Sequence, residues 1–203
     1  IDCSVYVAMD EETQELLQLL CIFPTFTGEQ AEYMWRRGNA AALLASELPH
    51  NVFLTFDALH SQYRFHHTFA GFLKKQAAQR GKTWQQAQLQ QAAAWYLQEK
   101  NYSKAMALAD AANAYEILLT AVEQGGAGAL WFQPFTTRCR YFEKTPQEIQ
   151  RRHMLAGVIL ALDIWVCQNK SALYEDQKSQ LLQLLKAMKP GTTEAGVAEG
   201  YLE

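Results

Sequence analysis

Val52-Phe53-Leu54-Thr55-Phe56, the polar stretch Asp57 to Ser61, and Tyr63-Arg64-Phe65 decide how this chain folds. The first run is a short β-type segment. The last alternates apolar and polar residues, and the polar stretch between them is turn-like, so the three together read as a hairpin. Working outward toward the N-terminus, Pro49 closes a helix that Asn39 caps, with Ala40, Leu43, Leu44 and Leu48 on its buried face. Before it, Thr27 and Gln30 form a capping box for a helix that runs through Trp35 and stops at Gly38. Before that, Asp10 caps a helix whose first turn carries Glu11 and Glu12, the sign that the helix dipole favours. Its stripe is Leu16, Leu19, Leu20 and Phe23, and Pro24 ends it. On the C-terminal side of the hairpin a helix restarts near Thr68, with Phe69, Phe72 and Leu73 on one face.

Three helices followed by a two-stranded hairpin is the order of a winged helix. Such a module reads DNA by placing polar and basic side chains in the major groove and basic groups on phosphates. Here the third helix, 39–49, has no Lys or Arg and carries Glu47, and the hairpin offers only Arg64. The whole chain has 18 basic and 21 acidic residues, a net charge of −3, where a nucleic-acid wrapper shows a basic balance. A winged helix used for protein packing, without direct DNA contact, is the expectation.

From residue 83 onward every signal is helical. Thr83 with Gln86 is a second capping box, followed by the stripe Leu89, Ala92, Ala93, Tyr96 and Leu97. Lys100-Asn101-Tyr102 is a break. Ala105, Leu108, Ala109 and Ala112 make the next stripe, and Leu118, Ala121 and Val122 the one after. Gln124-Gly125-Gly126 interrupts the pattern. An aromatic stretch follows (Trp131, Phe132, Phe135, Tyr141, Phe142) and reads as core. Thr145-Pro146-Gln147-Glu148 starts a helix, with Pro at its first position. Leu155, Val158, Ile159, Leu162 and Val166 form a long stripe; Leu181, Leu184, Leu185 and Met188 form the last. Pro190 to Gly196 reads as a loop. Paired helices with small residues where neighbours approach suggest an α-solenoid, though no clean repeat of about 34 residues emerges. The expected fold class is mainly α: a winged helix (three helices plus a small β-hairpin) followed by a tetratricopeptide-like α-solenoid. The expected division is 1–8 as a tail from a preceding domain, 9–80 as the winged helix, and 81–203 as a truncated helical-repeat region.

The 203 residues, 49% hydrophobic and 19% charged, suffice for a sizeable core and exclude a disordered tail. The longest apolar run, Leu155 to Cys167, is interrupted by Asp163 and falls short of the roughly 20 residues a bilayer span needs. The N-terminus lacks the basic start and apolar core of a signal peptide. Cys3, Cys21, Cys139 and Cys167 are scattered, which suggests reduced thiols in the cytosol, with Cys21 and Cys167 in core. The start at Ile1 and the helix-like ending Gly200-Tyr201-Leu202-Glu203 read as a piece of a longer polypeptide. No paired carboxylates, nucleophile elbow, metal spacing or GxxxxGK[ST] phosphate loop supports an enzyme.

Four segments in order and spacing carry a resemblance. Asp10-Glu11-Glu12-Thr13-Gln14-Glu15-Leu16-Leu17 is the first, and Tyr63-Arg64-Phe65-His66-His67-Thr68-Phe69-Ala70-Gly71-Phe72-Leu73 the second. Ala92-Ala93-Ala94-Trp95-Tyr96 with Lys104-Ala105-Met106-Ala107-Leu108-Ala109 is the third; Arg140-Tyr141-Phe142-Glu143-Lys144-Thr145-Pro146 is the fourth. Together they resemble the middle portion of the MalT/LuxR-type ATP-dependent transcriptional regulators, signal-transducing NTPases of the STAND class, over roughly residues 9 to 170. Thr68 departs from the family's usual leucine, and nothing distinctive matches after Lys170. The resemblance implies a regulatory relay. An upstream nucleotide-binding module, the winged helix, a helical sensor region that meets an inducer, and often a C-terminal DNA-binding helix-turn-helix make up such proteins. The implied partners are those intramolecular modules and an inducer, with ATP or ADP in the parent protein, no cofactor in this fragment, no membrane, and a cytoplasmic site. A fragment without the phosphate loop is expected not to hydrolyse ATP, whereas the resemblance implies a slow ATPase for the parent. The competing reading is a stand-alone tetratricopeptide-like adaptor that binds a peptide or protein partner.

The resemblance aligns Phe65-His66-His67 with a methionine-histidine-aspartate-like triplet, whose histidine contacts the β-phosphate of ADP, so His66 is implied as the nucleotide-contacting residue. The acidic member of that triplet is absent here. The bland alternative makes His66 and His67 hairpin-end residues bonded to nearby backbone. A zinc site from His60, His66 and His67 is disfavoured, because adjacent histidines point apart in a strand and no cysteine is near. Cys139, between Arg138 and Arg140, lacks a base. Arg36 and Arg37 suit a helix C-terminus. Asp163 needs a partner, with Arg151 or Arg152 expected. Trp131, Phe135 and Asp163 are the candidates for lining a groove.

Overall fold

A computed structural model describes residues 4–49, 52–168 and 171–187, together with 196, 199 and 200. In chain order the elements are α1 (Ser4–Ala8), α2 (Glu11–Leu20), α3 (Gly28–Trp35), α4 (Ala40–Glu47), β1 (Leu54–Asp57) and β2 (Gln62–Phe65). There follow α5 (His67–Gln79), α6 (Lys82–Gln98), α7 (Tyr102–Ala112), α8 (Tyr115–Leu130) and α9 (Phe135–Lys144). The last are α10 (Gln147–Arg152), α11 (Met154–Gln168) and α12 (Ser171–Ala187). Among the described residues the fold is mainly α with one two-stranded sheet, and the chain divides into two compact units, Ile1–Trp95 and Tyr96–Glu203.

The first unit is a winged helix, and its local reasons are visible. The Asp10 carboxylate accepts the Thr13 N–H at 2.7 Å and opens α2; the Thr27 hydroxyl accepts the Gln30 N–H at 3.1 Å and opens α3. β1 and β2 pair antiparallel with Leu54 opposite Phe65. On the other edge of β2, Phe26 and Tyr63 exchange two backbone hydrogen bonds (3.1 and 2.8 Å), and their rings stack at 5.5 Å. Alternation then turns Leu54 and Phe65 inward to the core of Leu16, Leu20, Leu44 and Phe69. Within the expected tail, Ser4–Ala8 is helical and Tyr6 is buried edge-on against Phe72 at 5.0 Å. The first half of α6 is fastened here by two glutamines. Gln88 Nε2 donates to the carbonyls of Gln18 and Leu19, both at 2.7 Å, and Gln91 Nε2 to those of Tyr33 and Met34 at 2.7 and 3.0 Å. They satisfy carbonyls that α2 and α3 leave orphaned at their C-termini.

The second unit consists of helices stacked in sequence, with α8 packed on α7, and α11 on α8, α9 and α12. Ala105, Ala109 and Ala112 of α7 and Leu118, Ala121 and Val122 of α8 are buried as the stripes require. Residues 156–161 of α11 are all buried, the mark of a central helix. On its α12 side, Met154, Val158 and Ala161 meet Tyr174 and Leu181, and Trp165 stacks on Tyr174 at 5.0 Å. A Cβ at Gly157 would stand 2.8 Å from Gln177 Oε1, so α12 lies close against α11 here and a larger residue would push that side chain aside.

Several local readings are corrected. α3 ends in a left-handed Arg36 (φ 59°) two residues before Gly38. Asn39 makes no side-chain cap; its amide oxygen accepts the Trp35 indole N–H at 2.5 Å instead. Leu43 and Leu48 are only half-buried. Thr83 lies inside α6, which follows Gly81 (φ 92°). Pro146 stands one residue before α10, and the Thr145 hydroxyl bonds back to the Tyr141 carbonyl at 2.6 Å. Val166 and Cys167 are exposed where core was expected. Met188, the side chain of Leu184 and nearly all of the Pro190–Gly196 loop lie outside the described residues. Among the described residues, no helix is long and apolar enough to cross a membrane.

Candidate functional site

His66 stands where β2 ends and α5 begins. Its backbone N–H donates to the Phe53 carbonyl at 2.7 Å, fixing the residue to the start of the hairpin, and its own carbonyl accepts the Ala70 N–H at 2.9 Å, the first bond of α5. The side chain is the cap of α5: Nδ1 accepts from the Thr68 N–H at 3.4 Å and lies 3.1 Å from the Thr68 hydroxyl. An accepting Nδ1 leaves the proton of a neutral ring on Nε2. The imidazole is exposed, tilted against Phe53 at 6.2 Å and against the His67 ring at 4.3 Å. The two histidines therefore do not diverge as in a strand. They share the first turn of a 13-residue helix, whose unpaired N–H groups and dipole favour an anion. Thr68, which departs from the family pattern, supplies both contacts to Nδ1.

His60 is elsewhere, held by Asp57 in the hairpin turn at 2.7 Å. That contact is the main cause that keeps the Asp57 carboxyl below its usual range. Among the described residues, no group of His, Cys, Asp and Glu has the arrangement to hold a metal ion. Cys21 is buried, and desolvation pushes its thiol up to about 11, which makes it inert as a nucleophile. Arg37 lies over the Trp35 ring at 4.1 Å and pairs with Glu15 at 2.9 Å, so it folds back on α2.

The second unit separates the groove candidates. Asp163 is half-buried and pairs with Arg138 of α9, not with Arg151 or Arg152. The Arg138 guanidinium also lies over the Phe135 ring at 5.3 Å. Phe135, Arg138 and Asp163 thus form one half-buried cluster. Asp163 Oδ2 and Arg138 Nε have no hydrogen-bond partner among the described residues, and burial raises the Asp163 carboxyl above its ordinary value despite the adjacent guanidinium. Trp131 and Phe132 are 78% and 80% exposed, which overturns the reading of the aromatic stretch as core; only Tyr141 is buried. A groove of about 400 Å³ has Lys100, Tyr102, Gly125, Gly128, Ala129 and Phe132 in its walls. Trp131, Phe135 and Asp163 are not among its lining residues.

The order of elements defines a winged-helix module, with His66 at the end of its hairpin, followed by stacked helices. Residues 3–85 match the family model described as the MalT winged helix domain. That match gives the first unit as a MalT-type winged helix and relates the chain to transcription regulators of that type. Comparison with curated proteins and with solved structures gives no match.

Proposed function

We propose that this chain is a central signal-relay segment of a LuxR-family, STAND-class regulator, coupling an inducer-sensing, tetratricopeptide-like helical region to a nucleotide-binding module. The observation that carries the reading is the placement of His66. Inside a MalT-type winged helix, it presents a protonated Nε2 on an exposed ring at the N-terminus of α5. A ring N–H and a helix N-terminus together suit a phosphate oxygen. In this reading His66 donates to the β-phosphate of ADP held by the neighbouring module, and losing that contact biases the switch toward its open state. ATP and ADP belong to that module; this segment catalyses nothing and acts through protein contacts inside the cytoplasm.

The test is H66A in the full regulator, read by ADP retention after gel filtration and by basal transcription. The expected result is faster ADP loss and raised basal activity. Unchanged retention overturns the phosphate role. A second reading, a peptide-binding adaptor, draws on the groove beside the exposed Phe132. Sequencing the reading frame discriminates the two: a phosphate-loop module upstream and a helix-turn-helix downstream exclude the adaptor, and their absence excludes the relay.

A further inference from the structure

His153 lies between α10 and α11, with a backbone (φ −118°, ψ 56°) that belongs to neither helix. Its N–H donates to the Ile149 and Gln150 carbonyls, and its carbonyl accepts the Gly157 N–H at 3.1 Å. The residue is therefore the hinge piece of that junction. Its ring is 15% exposed and reaches two carboxylates on α8. Nδ1 is 3.0 Å from Glu123 Oε2, and Nε2 is 2.8 Å from Glu116 Oε2. Glu116 and Glu123 are seven residues apart, two turns along one face of α8. Both carboxylates carry a further load. Glu116 Oε1 takes Arg152 at 2.5 Å, and Glu123 Oε1 accepts the Ala156 N–H at 3.4 Å, at the start of α11.

A neutral imidazole has one N–H and one lone pair. It can satisfy one of these carboxylates and must set its lone pair against the other. Only the imidazolium donates to both. The charged groups around the ring agree. α8 brings Glu116 and Glu123, α10 brings Arg152 onto Glu116, and α11 brings no charge before Asp163, which Arg138 holds. Arg151 and Asp176 line a separate groove beside Gln147 and Met154.

We propose that His153 is a protonation-dependent clamp that fastens the α10–α11 junction to both α8 carboxylates when charged and loosens it, giving up one of them, when neutral. The hydrogen bond to Glu123, opposed by burial and aided by Glu116, raises its pKa above 6.5. A raised value makes the clamp's stabilisation complete below pH 6.5 and lost as pH rises through the folded value. The helical unit thereby answers to pH on the alkaline side of 6.5, a property separate from any nucleotide contact in the winged helix.

The test is a ring-nitrogen NMR titration of the 203-residue chain, with His153 assigned by its loss in H153Q. The expected result is a midpoint above 6.5 with both ring nitrogens protonated below it. Across that midpoint, exchange of the amides of residues 150–157, corrected for intrinsic rates, should quicken. The wild-type folding constant should fall by about tenfold for each unit by which the midpoint exceeds 6.5, and E123Q should lower the midpoint. A His153 midpoint at or below 6.5, or a raised midpoint with unchanged exchange at 150–157, overturns the clamp. Should H153Q fail to fold, through-bond correlation from the His153 backbone to its ring assigns the signal in the wild type, and the titration still decides.

Discussion

At the scale of single residues, the caps show what sequence can say. Asp10 was legible because its carboxylate meets an amide three residues on, a contact set by local geometry alone. Its hydrogen bond from the Thr13 N–H holds the carboxyl below its ordinary 3.8. A depressed carboxyl contributes stability above its unfolded value and loses it as pH falls through the folded one. D10A should therefore cost about 1 kcal/mol in urea unfolding at neutral pH, and the difference should narrow as pH drops below 3.8. A cost that persists unchanged into strong acid would assign the effect to something other than the charged cap. Asn39 offers the same kind of accepting oxygen, without the charge, but bonds to Trp35, and nothing local favours that choice over the α4 amides. Asp163 was recognisable as a buried charge, yet its partner is 25 residues away on α9, chosen by helix packing that periodicity does not encode. His153 escaped notice for the same reason: its carboxylates lie 37 and 30 residues away.

At the scale of elements, hydrophobic stripes located the helices, and the glycines decided how they bend. Gln124-Gly125-Gly126 signals a break. The structure turns it into a kink in α8, with Gly126 at φ 61°, ψ −167°, a region that side-chain-bearing residues avoid. A Cβ on Gly125 would stand 2.8 Å from the Tyr102 ring, so α7 and α8 approach closely at the kink. The kink also explains why the aromatic stretch was misread. It resets the helical phase, and residue composition alone gives no direction to Trp131 and Phe132. G126A should destabilise the chain by about 1–3 kcal/mol. G128A, in open space two residues later, should be neutral or stabilising by up to about 1 kcal/mol. Thermal unfolding followed by circular dichroism compares the two. Equal effects would mean that the Gly126 backbone conformation puts no extra cost on a side chain.

At the scale of the whole molecule, the order of elements was the most legible property, because a hairpin after three helices admits few arrangements. What the winged helix touches is a matter of surface, and its surface argues against DNA. The exposed positions of α4 are Ala41, Ala42, Ala45 and Ser46, which offer a base edge no charged or bidentate donor. Arg64 of β2 is exposed, but Arg37 is committed to Glu15 and Arg80 pairs with the same carboxylate at 3.5 Å. The net charge of −3 opposes approach to a polyanion, and phosphate neutralisation supplies most non-specific affinity. The expectation is no saturable binding to duplex DNA at protein concentrations up to about 100 μM at physiological salt, measured by fluorescence anisotropy. Any weak signal at low salt should vanish on salt addition, since screening removes a diffuse attraction first. Sequence-selective binding that survives physiological salt would require contacts that α4 does not present. It would make the wing, through Arg64 and the hairpin turn, a DNA-reading element.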